Sequence, residues 1–187
     1  MTGWHAIVPL KSPAQRKTRL GLADDDRIPL TERMAAHVLQ TVRDTPGIVE
    51  IGLLSPECRS GTVWLPDQGR GLNAELGAAR RQWLHHPVLI IHADLPHLCT
   101  HDVSRLMDAA TDSAVAIAPD RHGSGTNPLD FPPGIEMELA FGPGSFKDHR
   151  AAAACARIVQ TPGLSHDLDT PDDMTAWSAL QQGAYVK

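Results

Sequence analysis

The amino-acid sequence predicts one α/β domain over residues 1–187, a mostly parallel mixed sheet sandwiched between helices. Three features carry that prediction. Short runs that are apolar throughout recur at strand length, as in strands buried on both faces. Helical apolar faces separate them, and one proline-broken stretch interrupts the alternation. With 187 residues, 42% of them hydrophobic and 21% charged, the chain can bury one sizeable core.

In chain order, WHAIVPL (residues 4–10) supplies the first strand, and Met34, Val38, Leu39 and Val42 mark the first helical face. IVEIGLL (residues 48–54) is the second strand, followed by a helical face of Leu72, Leu76, Ala79 and Trp83. VLIIH (residues 88–92) precedes a helix through Val103, Leu106, Met107 and Ala110 that starts around Thr100 and Asp102. AVAIA (residues 114–118) and RIVQ (residues 157–160) complete the apolar runs. Between them NPLDFPPGIEMELAFG (residues 127–142) is proline-rich and fits an added strand of opposite direction. Near the C-terminus Thr170, Pro171 and Asp173 read as N-cap, first helical position and capping-box partner of a helix whose face continues through Met174, Trp177 and Leu180. Alternating β and α elements imply right-handed crossovers and place ligands outside the carboxyl ends of the strands.

Bulk properties narrow the function. A net charge of −5 and 4% aromatic residues supply neither the basic face nor the stacking platform of a nucleic-acid binder. No apolar run approaches the about 18 residues needed to span a membrane, and MTGWHAIVPLKS lacks the pattern of a secretory signal. A soluble, cytoplasmic protein with no membrane or nucleic-acid partner is expected. Cys58, Cys99 and Cys155 are odd in number and widely spaced, which fits reduced thiols. A homodimer is compatible with these features.

The segment HDLDTPDDM (residues 166–174) concentrates acids. Asp172 and Asp173 are explained by the positive end of the helix that begins there. Asp167 and Asp169 precede the cap, and in extended backbone they project from one side. Such a pair repels unless a proton or a cation lies between them, and a hard divalent cation such as Mg²⁺ suits oxygen ligands. Asp94, after the apolar strand in VLIIHADLPHL, is a third ligand at the carboxyl edge. A solvated acidic turn, and a capping role for Asp94, are the bland alternatives.

The first βα loop, LKSPAQRKTRLG, holds Lys11, Arg16, Lys17 and Arg19, cations suited to phosphates, although an exposed basic loop has the same composition. It is neither a Walker A loop nor GxGxxG. PDRHGSGTNPL contributes Gly123, Gly125, Thr126 and Asn127, and FGPGSFKD contributes Gly142, Gly144 and Ser145, all suited to offering N–H or hydroxyl donors to an anion. Ser145 also reads as a helix cap with Asp148 as box partner. RGLNAEL offers Gly71 and Asn73 to a base or ribose, or forms an ordinary helix start. His97, Cys99 and His101, with His92 nearby, alternate like soft-metal ligands, but the helix start at Thr100 disperses them and paired ligand spacings are missing.

Together IVPLK…KTRL, GLN, HADLP, PDRHGSGTNPL, FGPGS and DLDTPDD resemble the guanylyltransferases of coenzyme F-420 biosynthesis, which act on 2-phospho-L-lactate, phosphoenolpyruvate or 3-phospho-D-glycerate. The resemblance runs from about residue 4 to 177. It implies a nucleotide-diphospho-sugar transferase-like fold, with GTP and a small phosphorylated carboxylic acid as ligands. By that resemblance Asp94, Asp167 and Asp169 hold Mg²⁺, and Thr126, Gly142 and Ser145 hold the phosphate of the acid. By the same resemblance Lys17 and Arg19 would hold the GTP phosphates; Lys11, Gly71 and Asn73 are the further nucleotide candidates read from the loops above, and Lys17, Arg19 and Asp94 are the expected catalytic residues. The product would pass to the next transferase of that pathway. PLKSPAQ replaces the glycine-rich opening of the related molybdopterin guanylyltransferases, which leaves the details of nucleotide contact open. The alternatives are another nucleotidyltransferase on this fold, such as a molybdopterin guanylyltransferase-like enzyme, and a non-catalytic nucleotide-binding module.

Overall fold

The computed structural model describes residues 3–111 and 113–175. Trp177 and Leu180, assigned above to a C-terminal helical face, lie outside the described residues. The elements run β1 (Trp4–Pro9), α1 (Asp24–Asp44), β2 (Ile48–Ser55), β3 (Val63–Pro66), α2 (Leu72–Arg81), β4 (Val88–Ile91) and α3 (Thr100–Ala109). They continue through β5 (Val115–Pro119), β6 (Thr126–Phe131), α4 (Ser145–Ala152), β7 (Ala156–Ile158) and α5 (Pro162–Ser165).

Among the described residues seven strands form one sheet in the order β3-β2-β1-β4-β6-β5-β7. Strand β6 pairs antiparallel with both β4 and β5, and the other pairings are parallel. The expected mixed α/β sheet is therefore present, with the reversed strand inside the proline-rich stretch. Val88–Ile91 and Val115–Pro119 are buried along their whole length, as strands covered on both faces must be. On one face α1, α3 and α5 cover Ala6, Val8, Leu53, Leu89 and Ala116. On the other, α2 and α4 cover Ile7, Ile90, Ile117, Leu129 and Phe131. Each fully buried Leu or Ile contributes about 1.5–3 kcal/mol, so these two layers hold the sheet edge that carries the site.

Several boundaries differ from the sequence expectations. β3 escapes the sequence reading because VWLP has four residues, one a proline, and leaves Val63 and Trp64 exposed on an edge strand. Helix α1 begins at Asp24 and accommodates Pro29 near its start. Helix α2 ends at Arg81, so Trp83 lies beyond it but still packs into the core at 9% exposure. A Cβ on Gly52 would meet both Trp83 and Leu65 at 2.5 Å, which explains glycine inside β2. α3 starts at Thr100 as expected, although Cys99 is its N-cap, with Asp102 accepting from the Cys99 N–H at 3.0 Å. Among the described residues no helix is long and apolar enough to cross a membrane.

Candidate active site

A cavity of about 650 Å³ opens along the sheet edge expected from topology. It is lined by residues just beyond β1 and β4, by the loop between β5 and β6, and by the turn before α4. Of the residues singled out in the sequence, Lys11, Lys17, Arg19, Asp94, Thr126, Gly142, Ser145, Asp167 and Asp169 all line it.

The acidic side is built by one backbone bond. The Leu168 N–H donates to the Asp94 carbonyl at 3.1 Å. The Leu168 side chain, 1% exposed, packs with Leu20, Leu30 and Met34. Burying Leu168 leaves its neighbours Asp167 and Asp169 to face Asp94, and one oxygen from each of the three carboxylates lies within 4.8 Å of the others. Thr170 and Asp173 close the segment as the expected box, with Asp173 Oδ2 accepting from the N–H groups of Asp169 at 3.0 Å and Thr170 at 2.7 Å.

Lys17 enters this cluster. Its ammonium donates to Asp94 and Asp169, and it stands in the left-handed backbone region at φ 53°. The two carboxylates outweigh the desolvation of the ammonium and raise the Lys17 pKa. Lys17 is thus placed on the acids rather than free in the cavity. Asp167 gains no such partner. Burial and the charge of Asp94 push its pKa up to about 6, opposed by Lys17 and by a 3.3 Å bond from Asn127 Nδ2. Asp94 Oδ1 is buried with no hydrogen-bond partner. An orphaned oxygen and an under-neutralised carboxylate, facing one point with a third acid, fit a hard divalent cation.

The loop that presents Lys17 is shaped by Arg27, 3% exposed, whose guanidinium donates to the carbonyls of Pro13 at 3.2 Å and Ala14 at 3.4 Å, to that of Arg16, and to Asp24 at 2.7 Å. Arg16, counted above among the phosphate-suited cations, also lines the cavity, but it is buried and its guanidinium is paired with Glu32 at 2.6 Å. Lys11 is exposed. The Arg19 side chain is 80% exposed, with its guanidinium 3.7 Å from Asp169.

Opposite the acids, Ser145 and Thr126 are buried together. The Thr126 N–H donates to Ser145 Oγ at 2.8 Å, and Thr126 Oγ1 lies 3.0 Å from His149 Nδ1. The capping reading of Ser145 is corrected: Gly144, in the left-handed region at φ 80°, is the N-cap of α4, and no side chain caps that helix. Asp120, which lines the cavity, gathers the N–H groups of His122 at 3.1 Å, Ser124 at 2.9 Å and Gly125 at 2.8 Å. A Cβ on Gly125 would lie 2.7 Å from the Asp120 carboxylate, so the turn requires glycine there.

Two expected nucleotide contacts are not brought to the cavity. Asn73 spends its amide on the backbone of Phe141, accepting at 2.7 Å and donating at 3.0 Å, and Gly71 is the exposed N-cap of α2. Among the described residues Asp94, Asp167 and Asp169 form the one cluster with metal-ligand geometry, so His97, Cys99 and His101 do not converge. Arg27, Asp120 and His149 hydrogen-bond the segments that line the cavity and have little sequence signal of their own. An acid placed just before a glycine loop is the one hint, for Asp120.

Comparisons with known proteins show the family and the fold. Phosphoenolpyruvate guanylyltransferase from Sphaerobacter thermophilus is 34% identical over 185 residues, covering 90% of this chain and 89% of that one. The protein of the same name from Streptomyces coelicolor is 33% identical over 195 residues, covering 96% and 92%. Among solved structures, one from Desulfovibrio desulfuricans G20, assigned to the nucleotide-diphospho-sugar transferases, superposes with TM-score 0.71 at 18% identity over 95% of this chain and 87% of that one. A nucleotidyl transferase from Methanothermobacter thermautotroptrophicus superposes with TM-score 0.63 at 13% identity over 97% and 99%. These likenesses show the same fold. Residues 4–179 match the family model described as "Guanylyl transferase CofC like", and the chain belongs to that family of guanylyltransferases, nucleotidyltransferase enzymes.

Proposed function

We propose that this guanylyltransferase transfers GMP from GTP to the phosphate of a small phosphorylated carboxylic acid, phosphoenolpyruvate foremost, releasing pyrophosphate in coenzyme F-420 biosynthesis. The observation that carries the reading is one cavity with three convergent carboxylates on one side and two buried hydroxyls on the other. The names of the relatives support phosphoenolpyruvate over 2-phospho-L-lactate and 3-phospho-D-glycerate.

In this reaction a phosphate oxygen of the acid forms a bond to the α-phosphorus of GTP, and the bond to the β-phosphate oxygen breaks. Both partners are anions, so the protein must overcome their repulsion and align them. Thr126 and Ser145 hold the acceptor phosphate, with Gly142 leaving room for its approach. Arg19 and Lys11, exposed at the mouth, meet the phosphates of GTP that leave as pyrophosphate. Asp94, Asp167 and Asp169 would hold Mg²⁺, which supplies charge neutralisation between the two phosphates when bound. Lys17 keeps the acids from mutual repulsion and orients Asp94 and Asp169. The acceptor phosphate is ionised at neutral pH, so no side chain is needed as general base.

The test is incubation with GTP, Mg²⁺ and each of the three acids separately, followed by mass detection of the adduct and measurement of pyrophosphate. The expected result is a guanylylated phosphoenolpyruvate with one pyrophosphate per adduct. Nucleotide binding without pyrophosphate from any acid would identify a non-catalytic module and overturn the reading. Asp169→Asn is expected to lower turnover at least about 100-fold, the scale of losses for preorganised electrostatic groups.

A further inference from the structure

Buried beneath the hydroxyl side of the cavity, His149 is 0% exposed, and both of its ring nitrogens are engaged. The Ala140 N–H donates to Nε2 at 2.9 Å. A backbone N–H can only donate, so Nε2 carries a lone pair and the ring's proton sits on Nδ1. Nδ1 lies 3.0 Å from Thr126 Oγ1 and therefore donates to it. The Thr126 oxygen is thereby an acceptor on its protein side, and its own hydrogen turns elsewhere. The same logic applies next door, where Ser145 Oγ accepts the Thr126 N–H at 2.8 Å. Both residues line the cavity.

We infer that His149 is a positioning residue: by locking its Nδ1–H onto Thr126, it forces the Thr126 hydroxyl to donate into the cavity beside that of Ser145, whose oxygen already accepts the Thr126 N–H, making this wall selective for the oxygens of a phosphate. This deepens the proposed function and rests on it for the identity of the anion. Without the lock a threonine hydroxyl can rotate to accept as readily as it donates, and the wall loses its preference for an acceptor-only ligand. Burial lowers the His149 pKa to about 4, so the ring is neutral near pH 7, as an accepting Nε2 requires. The ring is held in place by an edge-on contact with Phe141 at 4.8 Å. His149 touches no reacting atom and acts only through Thr126.

Two replacements separate the roles of the two nitrogens. In His149→Gln the amide oxygen takes the place of Nε2 and keeps the Ala140 bond, while the donor to Thr126 is lost. In His149→Asn the amide nitrogen takes the place of Nδ1 and keeps that donor. The expected result is a KM for phosphoenolpyruvate about tenfold higher in His149→Gln, the scale of one misdirected hydrogen bond. The KM for GTP should stay within about twofold of wild type, and His149→Asn should restore most of the loss. In a Thr126→Val background His149→Gln should add little further loss, because its target hydroxyl is gone. The reverse pattern, harm from Asn and none from Gln, would show that His149 merely anchors Ala140 and would overturn the inference. So would independent, multiplying losses in the double variant. A second readout needs no substrate: the imidazole nitrogen shifts of His149 in the intact protein at pH 7 should report a neutral, Nδ1-protonated ring. An Nε2-protonated ring would refute the inference even if the enzyme proves active on phosphoenolpyruvate. An Nδ1-protonated ring in a protein that transfers nothing to that acid would sustain the inference while the proposed substrate fails.

Discussion

Asp130 predicts a stability gain that can be worked out from its surroundings. It sits inside β6, opposite Leu89 and Ala116 in the two neighbouring strands, and is 0% exposed. Neither carboxyl oxygen makes a well-formed hydrogen bond, and burial, opposed only weakly by the Phe131 N–H, raises its pKa well above the usual carboxylate value. In the unfolded chain an aspartate ionises near pH 3.9. Above that pH the unfolded state has lost a proton that the folded state keeps, so stability falls as pH rises until the folded pKa is reached. Each unit of separation costs about 1.4 kcal/mol. The unpaired carboxyl adds a pH-independent cost of about 1–3 kcal/mol. Asp130→Val removes both and suits a strand. It should gain at least about 2 kcal/mol near neutral pH, or roughly 4–8 °C in Tm for a chain of this size. Asp130→Asn should remove only the pH-dependent part. Thermal unfolding followed by circular dichroism at pH 5 and pH 8 tests this, with the variant's advantage larger at pH 8. A less stable Val variant, or an advantage equal at the two pH values, would refute the reasoning.

Ser145→Ala should raise the KM for the acid about tenfold or more while leaving that for GTP near wild type; equal losses would assign Ser145 to the packing of α4 instead. Gly52→Ala forces a methyl against Trp83 and Leu65, and a loss of about 1–3 kcal/mol in unfolding free energy, with unchanged KM values, is expected. Arg27→Met strips the carbonyls of Pro13, Ala14 and Arg16 of their shared donor and should cost at least about 2 kcal/mol. Because that loop presents Lys17, the same variant should also lose turnover, measured by pyrophosphate release.

The parallel strands were legible because burial on both faces writes itself as unbroken apolar runs, as in Val88–Ile91. Asp167 and Asp169 were legible because a two-residue period puts their side chains together, and Leu168, the residue between them, belongs to a separate apolar cluster. What the sequence hides is long-range. Nothing local tells that Arg16 meets Glu32 while Lys17, its neighbour, reaches Asp94 and Asp169. Asn73 has the composition of a ligand contact, yet a backbone 68 positions away claims its amide. The orientation role of His149 depends on Ala140 and Thr126, from separate segments, and no spacing rule announces it. β3 is invisible for the opposite reason: as a short edge strand it buries only Leu65.

The central claim is that Asp94, Asp167 and Asp169 form a single cation site. Titration of Mn²⁺ into the metal-free protein, followed by electron paramagnetic resonance, measures it directly. One ion should bind per chain in the wild type, and Asp94→Asn and Asp169→Asn should each weaken that binding at least about tenfold. A wild type that binds no ion, or variants that bind it as tightly as wild type, would contradict the account.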